Sequence, residues 1–539
     1  MAEINVQQSD AQNANRQYRH VMSRYDLTML SMGGVIGSGW LFGAMYSAQY
    51  AGPAAILAWL IGGILMMILA LPFIELSSMV PEAGGVIRYP QMSHGSLVSV
   101  TAAWAMFVAY ALTPPIEAEA VVQYASGYIP GLFVNGSLTS SGLVISAILV
   151  ILFFLLNYFG VRLFAKTNTI ITTIKIIVPV VTMAVLLIAG LVHHGGVNLT
   201  NPTTGGFMPY GFHGVLAAIS VGGIVFSYSG FRQALDMAAE GKNPKKDVPI
   251  AISTVLITAI ILYVLLQLAF IVAVSASSLG HGWANVNFSS PFAQLAASLN
   301  IGWLVIVLYG DSIVSPGGSG LTYTGTQSRI YYAMPKNGYG PKWLLTLNKH
   351  GIPIYGQIVA LVFGLAGLLP FPSWGAMVSI LTATLPMSYA LGGSSLMVMR
   401  KTAPEVHRGY SLGKQANWIA PASFAVGSLL FYWSGWPIVW QIDAVILVGI
   451  IIYFYYFFKN HLPKRDLKAG LWWLVYLAVM MGLSYLGSFG KGKQLIPFPY
   501  DSIVVIIISL AFYFWGVTSG YETQTLKDFK QGIDLDYEE

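Results

Sequence analysis

Apolar stretches of twenty or more residues recur along this chain, and they restrict its fold more than any single motif does. A helix of ~20 apolar residues crosses the roughly 30 Å hydrocarbon core of a bilayer. There, every backbone N–H and C=O must be satisfied by the protein itself. Hydrophobic residues make up 55% of the 539 and charged residues only 9%, which excludes an ordinary water-soluble globule. The expected fold is an all-α polytopic membrane protein. Cysteine is absent, so disulfides and cysteine-based metal or nucleophile chemistry are excluded. The first 26 residues are polar and the first apolar run is long enough for a full span, so no cleavable signal peptide is expected.

Fourteen spans are expected, at roughly 27–48, 53–78, 97–126, 141–160, 167–190, 213–236, 249–275, 301–331, 354–372, 375–400, 418–434, 437–458, 470–487 and 501–520. With the N-terminus in the cytoplasm, 24 of the 27 Lys and Arg residues, from Arg16, Arg19 and Arg24 through Arg88, Arg162, Lys166, Arg232 and Lys349 to Lys527 and Lys530, fall in cytoplasmic segments. Only Lys491 and Lys493 lie in external loops, and Lys175 lies inside the membrane. That asymmetry is the positive-inside pattern; both termini are expected to be cytoplasmic, with the tails at 1–26 and 521–539 and a disordered end at Asp534–Glu539. The net charge of +6 follows from this topology, so the expected surroundings are the lipid bilayer of the cell membrane, with no nucleic acid partner.

The first span is interrupted by Gly33-Gly34-Val35-Ile36-Gly37-Ser38-Gly39. A helix broken at membrane depth is tolerated only where the freed backbone faces protein or lines a cavity, so the break suggests a binding site. Its glycines let the chain unwind and a ligand approach closely. The half-helix from about Trp40 turns its N–H groups and roughly +0.5 of dipole charge to the gap, which suits a carboxylate. The competing account is a packing face of small residues. A second interruption, Phe226-Ser227-Tyr228-Ser229-Gly230-Phe231, lies at mid-depth five helices later. Paired interruptions in inverted halves of a chain point to a transporter's binding site and outweigh the packing account.

Five segments then resemble, in order, the amino acid–polyamine–organocation transporters over the first ten spans. They are GGVIGSGWLFG (Gly33 to Gly43), PEAGGVIRYP (Pro81 to Pro90), Asn157 to Lys175, FSYSGFRQALDMAAEGKNPKKDVP (Phe226 to Pro249), and Ser315 to Pro341 with Arg329 and Met334. The resemblance implies a transport core at 27–400 made of two inverted five-helix repeats, 27–190 and 213–400, with spans one and six broken, plus four peripheral helices at 401–520. It implies that N–H groups around Gly37, Ser38 and Gly39 hold an amino acid's α-carboxylate. Carbonyls near Ile36, Phe226 and Ser229 then take its ammonium, with Ser227 and Gly230 in the second break. Phe226 matches the family's aromatic lid, and Tyr323 would line the floor; for either ring, ordinary packing is an equal account.

An ammonium in mid-bilayer costs about 2.5–3.5 kcal/mol on insertion scales, so Lys175 is a functional candidate in its own right. It resembles the family's fifth-helix lysine, which fills the space of a sodium ion and bridges helices one and eight; the coupling ion expected is a proton rather than sodium. Glu117 and Asp311 are the acids expected to relay it, each with a neutral structural role as the alternative. Glu119, two residues from Glu117, lies about 200° around the helix and faces elsewhere. Glu75, Asp236 and Glu240 are expected to pair with loop cations.

Arg232 stands where the family commonly has a glutamate, and a cation there suits an acidic side chain through a bidentate contact. A salt bridge from Arg232 to Glu240, Asp236 or Glu117 is the alternative. Glu117 with Gly230-Phe231-Arg232-Gln233 resembles the aspartate–proton symporter branch. His193 and His194 read as solvated loop residues without a third ligand at zinc spacing. Pro316-Gly317-Gly318-Ser319-Gly320 lacks the Lys-Ser/Thr of a phosphate loop. Asn198-Leu199-Thr200 is a glycosylation sequon. No catalytic set and no cofactor are expected. The function expected is proton-coupled import of aspartate or glutamate, with an exchanger, a neutral or cationic amino acid permease, or a non-transporting amino acid receptor as rivals.

Overall fold

A computed structural model describes residues 22–82, 84–158, 161–194, 196–348 and 352–532, with the backbone alone at 161–168, 194 and 329. Arg16, Arg19, Lys349 and the Asp534–Glu539 run lie outside the described residues, as do the side chains of Arg162, Lys166 and Arg329. The helices are α1 (Arg24–Val35), α2 (Ser38–Ala51), α3 (Ala55–Met79), α4 (Gly85–His94), α5 (Ser96–Ala125), α6 (Ser140–Tyr158), α7 (Val161–His194), α8 (Gly211–Val221), α9 (Ile224–Tyr228), α10 (Gln233–Asp236), α11 (Pro244–Ala273), α12 (Pro291–Ser298), α13 (Gly302–Lys336), α14 (Ile354–Gly367), α15 (Trp374–Thr402), α16 (Ala416–Trp433), α17 (Ile438–Lys459), α18 (Lys464–Leu486), α19 (Tyr500–Ser519) and α20 (Gln524–Lys530). Phe133–Val134 pairs with Ser137–Leu138 in a short hairpin.

The chain is therefore all-α and multi-pass. Among the described residues, 10 helices, or up to 11 with the bent pair Gly211–Val221 and Ile224–Asp236 as one span, are long and apolar enough to cross a membrane. That figure takes Ser38–Met79, which holds both α2 and α3, as one 42-residue stretch, and so does not reach the fourteen spans expected. The break shortens α1 to 12 residues, and α14 stops after 14 residues at Gly367, where Pro370 and Pro372 follow. The second break also sits earlier than expected: the helix bends by 49° at Gly222–Gly223, where Gly223 takes φ +87, a conformation glycine adopts without strain. Phe226 to Tyr228 is helical, and 3-10 geometry follows at Ser229–Arg232.

The two broken spans touch through their glycines. A Cβ on Gly230 would fall on the Gly34–Val35 peptide, and one on Gly39 would lie 3.0 Å from the Ser227 Cβ. Close approach, the competing account of these glycines, thus holds alongside the unwinding. Around this pair pack α5, α7, α11, α13 and α15.

The last helices are tied to the core by polar contacts. Asp466 at the start of α18 accepts from the Ser96 N–H (2.8 Å) and hydroxyl (2.5 Å), capping α5 as an anion at a helix N-terminus does. The Tyr521 hydroxyl also reaches Asp466. Trp473 donates to the Thr101 hydroxyl (2.9 Å) and Trp104 to the Val445 carbonyl (2.8 Å). Residues after α19 are docked: Lys530 donates to the Thr402 carbonyl (2.7 Å) and pairs with Glu405 and Glu522 at 2.5 and 2.7 Å.

Two peripheral expectations resolve locally. Asn198 is 4% exposed and its amide donates to the Ile271 and Val274 carbonyls at 2.9 and 2.6 Å, so the sequon is a structural staple. His193, expected in a loop, lies in the last turn of α7, its ring on the Ala189 carbonyl at 2.9 Å. Among the described residues no group of three or more His, Asp or Glu could hold a metal ion.

Gly230→Val pushes the broken spans apart. Overpacking of this kind costs about 1–3 kcal/mol, so the purified variant is expected to melt at a lower temperature in a detergent thermal-shift assay than the wild type.

Candidate functional site

Unwinding after Val35 releases the carbonyls of residues 33 to 36 from the helical ladder, and each has a partner from another span. Lys175 Nζ on α7 donates to the Gly33 carbonyl at 2.5 Å and to Ser319 Oγ on α13 at 2.9 Å. Ser319 Oγ lies 2.8 Å from the Gly33 carbonyl and 3.3 Å from that of Ile36. Tyr263 donates to the Val35 carbonyl at 2.7 Å, and the Tyr323 hydroxyl stands 3.4 Å from that of Gly34. Lys175 thus joins the first broken span to α13, and it is fully buried.

The amide side of the break is occupied by the protein's own acid. The N–H of Ser38, first residue of α2, donates to Glu117 Oε2 at 2.8 Å. The remaining oxygen, Oε1, would meet a Cβ on Gly37 at 2.5 Å. Glu117 therefore holds an amide expected to take a substrate carboxylate, which is the position that a half-helix dipole favours for an anion. Glu119 points away from it: both its oxygens are buried without a hydrogen-bond partner among the described residues. Asp311 Oδ2 accepts from Ser315 Oγ at 2.7 Å. Asp311, Ser315 and Ser319 recur every fourth residue on α13, one face leading to Lys175.

Above the break, the Ser38 hydroxyl accepts from Trp374 Nε1 at 2.7 Å. The Trp374 ring packs against Phe42, Tyr46 and Phe226 at 5.3, 5.2 and 6.0 Å. Beyond this aromatic layer, away from the N-terminal end of α1, opens a cavity of about 510 Å³ lined by Tyr46, Gln49, Tyr50, Ser373 and Gly375 among others. The Phe226 carbonyl, expected to face an ammonium, accepts instead from the Ser229 hydroxyl at 2.7 Å. Ser227 likewise turns its hydroxyl to the Gly223 carbonyl at 2.9 Å.

Below the break lies Arg232. Its sequence-based count among loop cations is corrected by the fold: it is 0% exposed, within the helix bundle. The alternative, a salt bridge to Glu240, Asp236 or Glu117, is not found among the described residues. Arg232 Nη1 donates to the Tyr389 hydroxyl at 3.1 Å, and its guanidinium carbon stands 4.0 Å from the Tyr110 ring centroid and 5.3 Å from that of Tyr323. Among the described residues, Arg232 Nε and Nη2 have no hydrogen-bond partner. Those two N–H groups are the parallel edge that matches both oxygens of a carboxylate. Next to it, the Gln233 amide is buried, and among the described residues neither of its polar atoms makes a hydrogen bond of ordinary geometry.

The chain closes beneath these groups. Tyr110 bonds to Asp236, Arg88 to Glu82 and Asn337 at 2.6 Å each, and Arg24 to Asp247 at 3.0 Å. Glu75 pairs with Arg400 at 2.7 Å and Arg408 at 3.6 Å, as expected of an acid near a span end. Of the residues that sequence reasoning missed, Ser319 was signalled by its spacing from Asp311. Tyr110, Tyr263, Tyr389 and Trp374 carry no motif; only the fold brings them in.

Residues 22–483 match the family described as amino acid permease. The chain is 44% identical over 522 residues to the glutamate/serine transporter AimA of Bacillus subtilis (strain 168), covering 95% of this chain and 96% of that one. It is 38% identical over 515 residues to the aspartate-proton symporter of the same organism, covering 93% and 97%. A branched-chain amino acid permease, BcaP of the same organism, is 25% identical over 480 residues, covering 84% and 96%. With broken spans in contact, a buried cation and a match over most of its length, the chain belongs to the amino acid permease family and is a multi-pass membrane transporter of amino acids.

Proposed function

We propose that the protein imports acidic amino acids, aspartate or glutamate, together with protons. It works by alternating access in the cell membrane, with both termini cytoplasmic and a core of two inverted five-helix repeats. The observation that carries the substrate class is the unpartnered Nε and Nη2 edge of the buried Arg232. A buried cation without an anion is costly, and a side-chain carboxylate supplies the missing charge with two parallel hydrogen bonds. Tyr110, Tyr323 and Tyr389 hold the guanidinium by ring faces and one hydroxyl, so its edge keeps a fixed direction. The glutamate and aspartate carried by the glutamate/serine and aspartate-proton relatives agree with this reading.

Proton coupling rests on the Ser38 amide. Glu117 and a substrate α-carboxylate compete for it, and two carboxylates at one helix end repel each other. Protonating Glu117 removes that repulsion and frees the amide for the substrate, so the proton and the amino acid bind together. Lys175, on the Gly33 carbonyl and Ser319, holds the unwound segment and supplies the neighbouring titratable amine.

In proteoliposomes with an imposed inward proton gradient, labelled aspartate and glutamate are expected to accumulate. Removing one partner of a buried charge pair costs about 2 kcal/mol or more, roughly 30-fold in affinity, so Arg232→Gln is expected to lose acidic uptake by that factor. Acidic uptake unchanged in Arg232→Gln overturns the substrate class. The wild-type aspartate KM is expected to fall as the external pH falls, and in Glu117→Gln to become independent of pH. Lys175→Ala is expected to abolish the gradient's stimulation of uptake; stimulation that survives there removes Lys175 from the coupling, and wild-type uptake unchanged by the gradient points to exchange or facilitated transport.

A further inference from the structure

A line of polar side chains runs from the first half of α13 to the Ser38 amide. Asp311 is 3% exposed, and its Oδ2 accepts from Ser315 Oγ at 2.7 Å. Ser319, one turn beyond Ser315, takes a hydrogen bond from Lys175 Nζ at 2.9 Å. A Cβ on Gly37 would meet Ser319 Oγ at 2.6 Å and Glu117 Oε1 at 2.5 Å, so that hydroxyl and that carboxyl lie against the same glycine. Glu117 in turn accepts from the Ser38 N–H. Two carboxyl groups therefore act on the Lys175 amine, Glu117 from the break and Asp311 from nearer the start of α13.

With both termini cytoplasmic, α13 starts outside, and Asp311 lies roughly 14 Å along it, two turns outward of the serine that Lys175 touches. Tyr124 is its titratable neighbour on α5. Trp40 of α2 lies beside the carboxyl with no hydrogen bond of ordinary geometry between them, and stacks on Phe292 of α12 at 5.5 Å. α12 itself carries no charged residue. The outer cavity lies on another face: Tyr46, Gln49 and Tyr50 of α2 line it, and Gln49 is turned about 180° from Trp40 around that helix.

We propose that Asp311 is the outer proton acceptor of the transport cycle and re-protonates Lys175 along α13, off the path of the amino acid. This rests on the proton coupling through Glu117 given above and names the source of its proton. The Lys175 ammonium gives a proton to the Glu117 carboxylate and becomes an amine. Asp311, having taken a proton from outside, passes one on through the Ser315 hydroxyl and returns that amine to an ammonium. Only O–H and N–H bonds form and break, and one external proton ends on Glu117. A nearby ammonium favours the carboxylate form of an acid, so the state of Asp311 follows the charge on Lys175.

Two assays of labelled aspartate in proteoliposomes separate this role from a structural one. Accumulation under an inward proton gradient needs a fresh proton in every cycle. Counterflow against unlabelled internal aspartate, without a gradient, returns the carrier still loaded and needs none. Asp311→Asn is expected to bring accumulation down to the level of a gradient-free control, while counterflow continues with the wild-type KM. Asp311→Glu, which keeps the acid, is expected to restore accumulation. Loss of counterflow together with accumulation in both variants gives a structural acid and overturns the proposal, and a raised counterflow KM puts Asp311 on the amino acid's path and overturns it too. A wild type that the gradient does not stimulate sinks the proton coupling itself, and this relay with it. A stimulated wild type with an equally stimulated Asp311→Asn sinks the relay alone.

Discussion

Peptide groups released from a helix at membrane depth have no water to turn to, and the centre of this protein is arranged around those between Gly33 and Ser38. Four carbonyls and one amide there are met by Lys175, Ser319, Tyr263, Tyr323 and Glu117, drawn from α5, α7, α11 and α13. Each partner is a side chain able to trade its contact for another. An intact helix offers no such set of contacts, because its backbone groups are already paired.

The glycines serve two requirements together. Gly34, Gly39 and Gly230 let the two broken spans lie backbone to backbone, and Gly223 permits the bend that turns α9 toward the first break. Unwinding and close packing are therefore not alternatives. The closeness of the spans is what brings Arg232 and Gln233, from the second, beneath the loosened turn of the first.

Much of this architecture is legible in the sequence. The spans, the first break and the membrane-embedded Lys175 follow from apolar run length and from residues that lipid does not tolerate without cause. The second break is legible only roughly: small polar residues at 226–231 draw the eye, whereas the bend comes at Gly222–Gly223, where the run still reads as apolar. The surroundings of Arg232 are not legible at all. A cation close to a span end counts as a loop residue in a linear tally, and only the convergence of α5, α13 and α15 encloses it with Tyr110, Tyr323 and Tyr389. Glu117 is visible as a buried acid, but that it seats itself on the Ser38 amide depends on the register of two helices 79 positions apart.

The cap that Asp466 places on α5 ties the helix bearing Tyr110, Glu117 and Glu119 to the last group of membrane helices, and Trp473 and Trp104 add two further ties. In the proposed alternating-access cycle, any shift of α5 is therefore a shift of the later membrane helices as well, which have to follow it as one body.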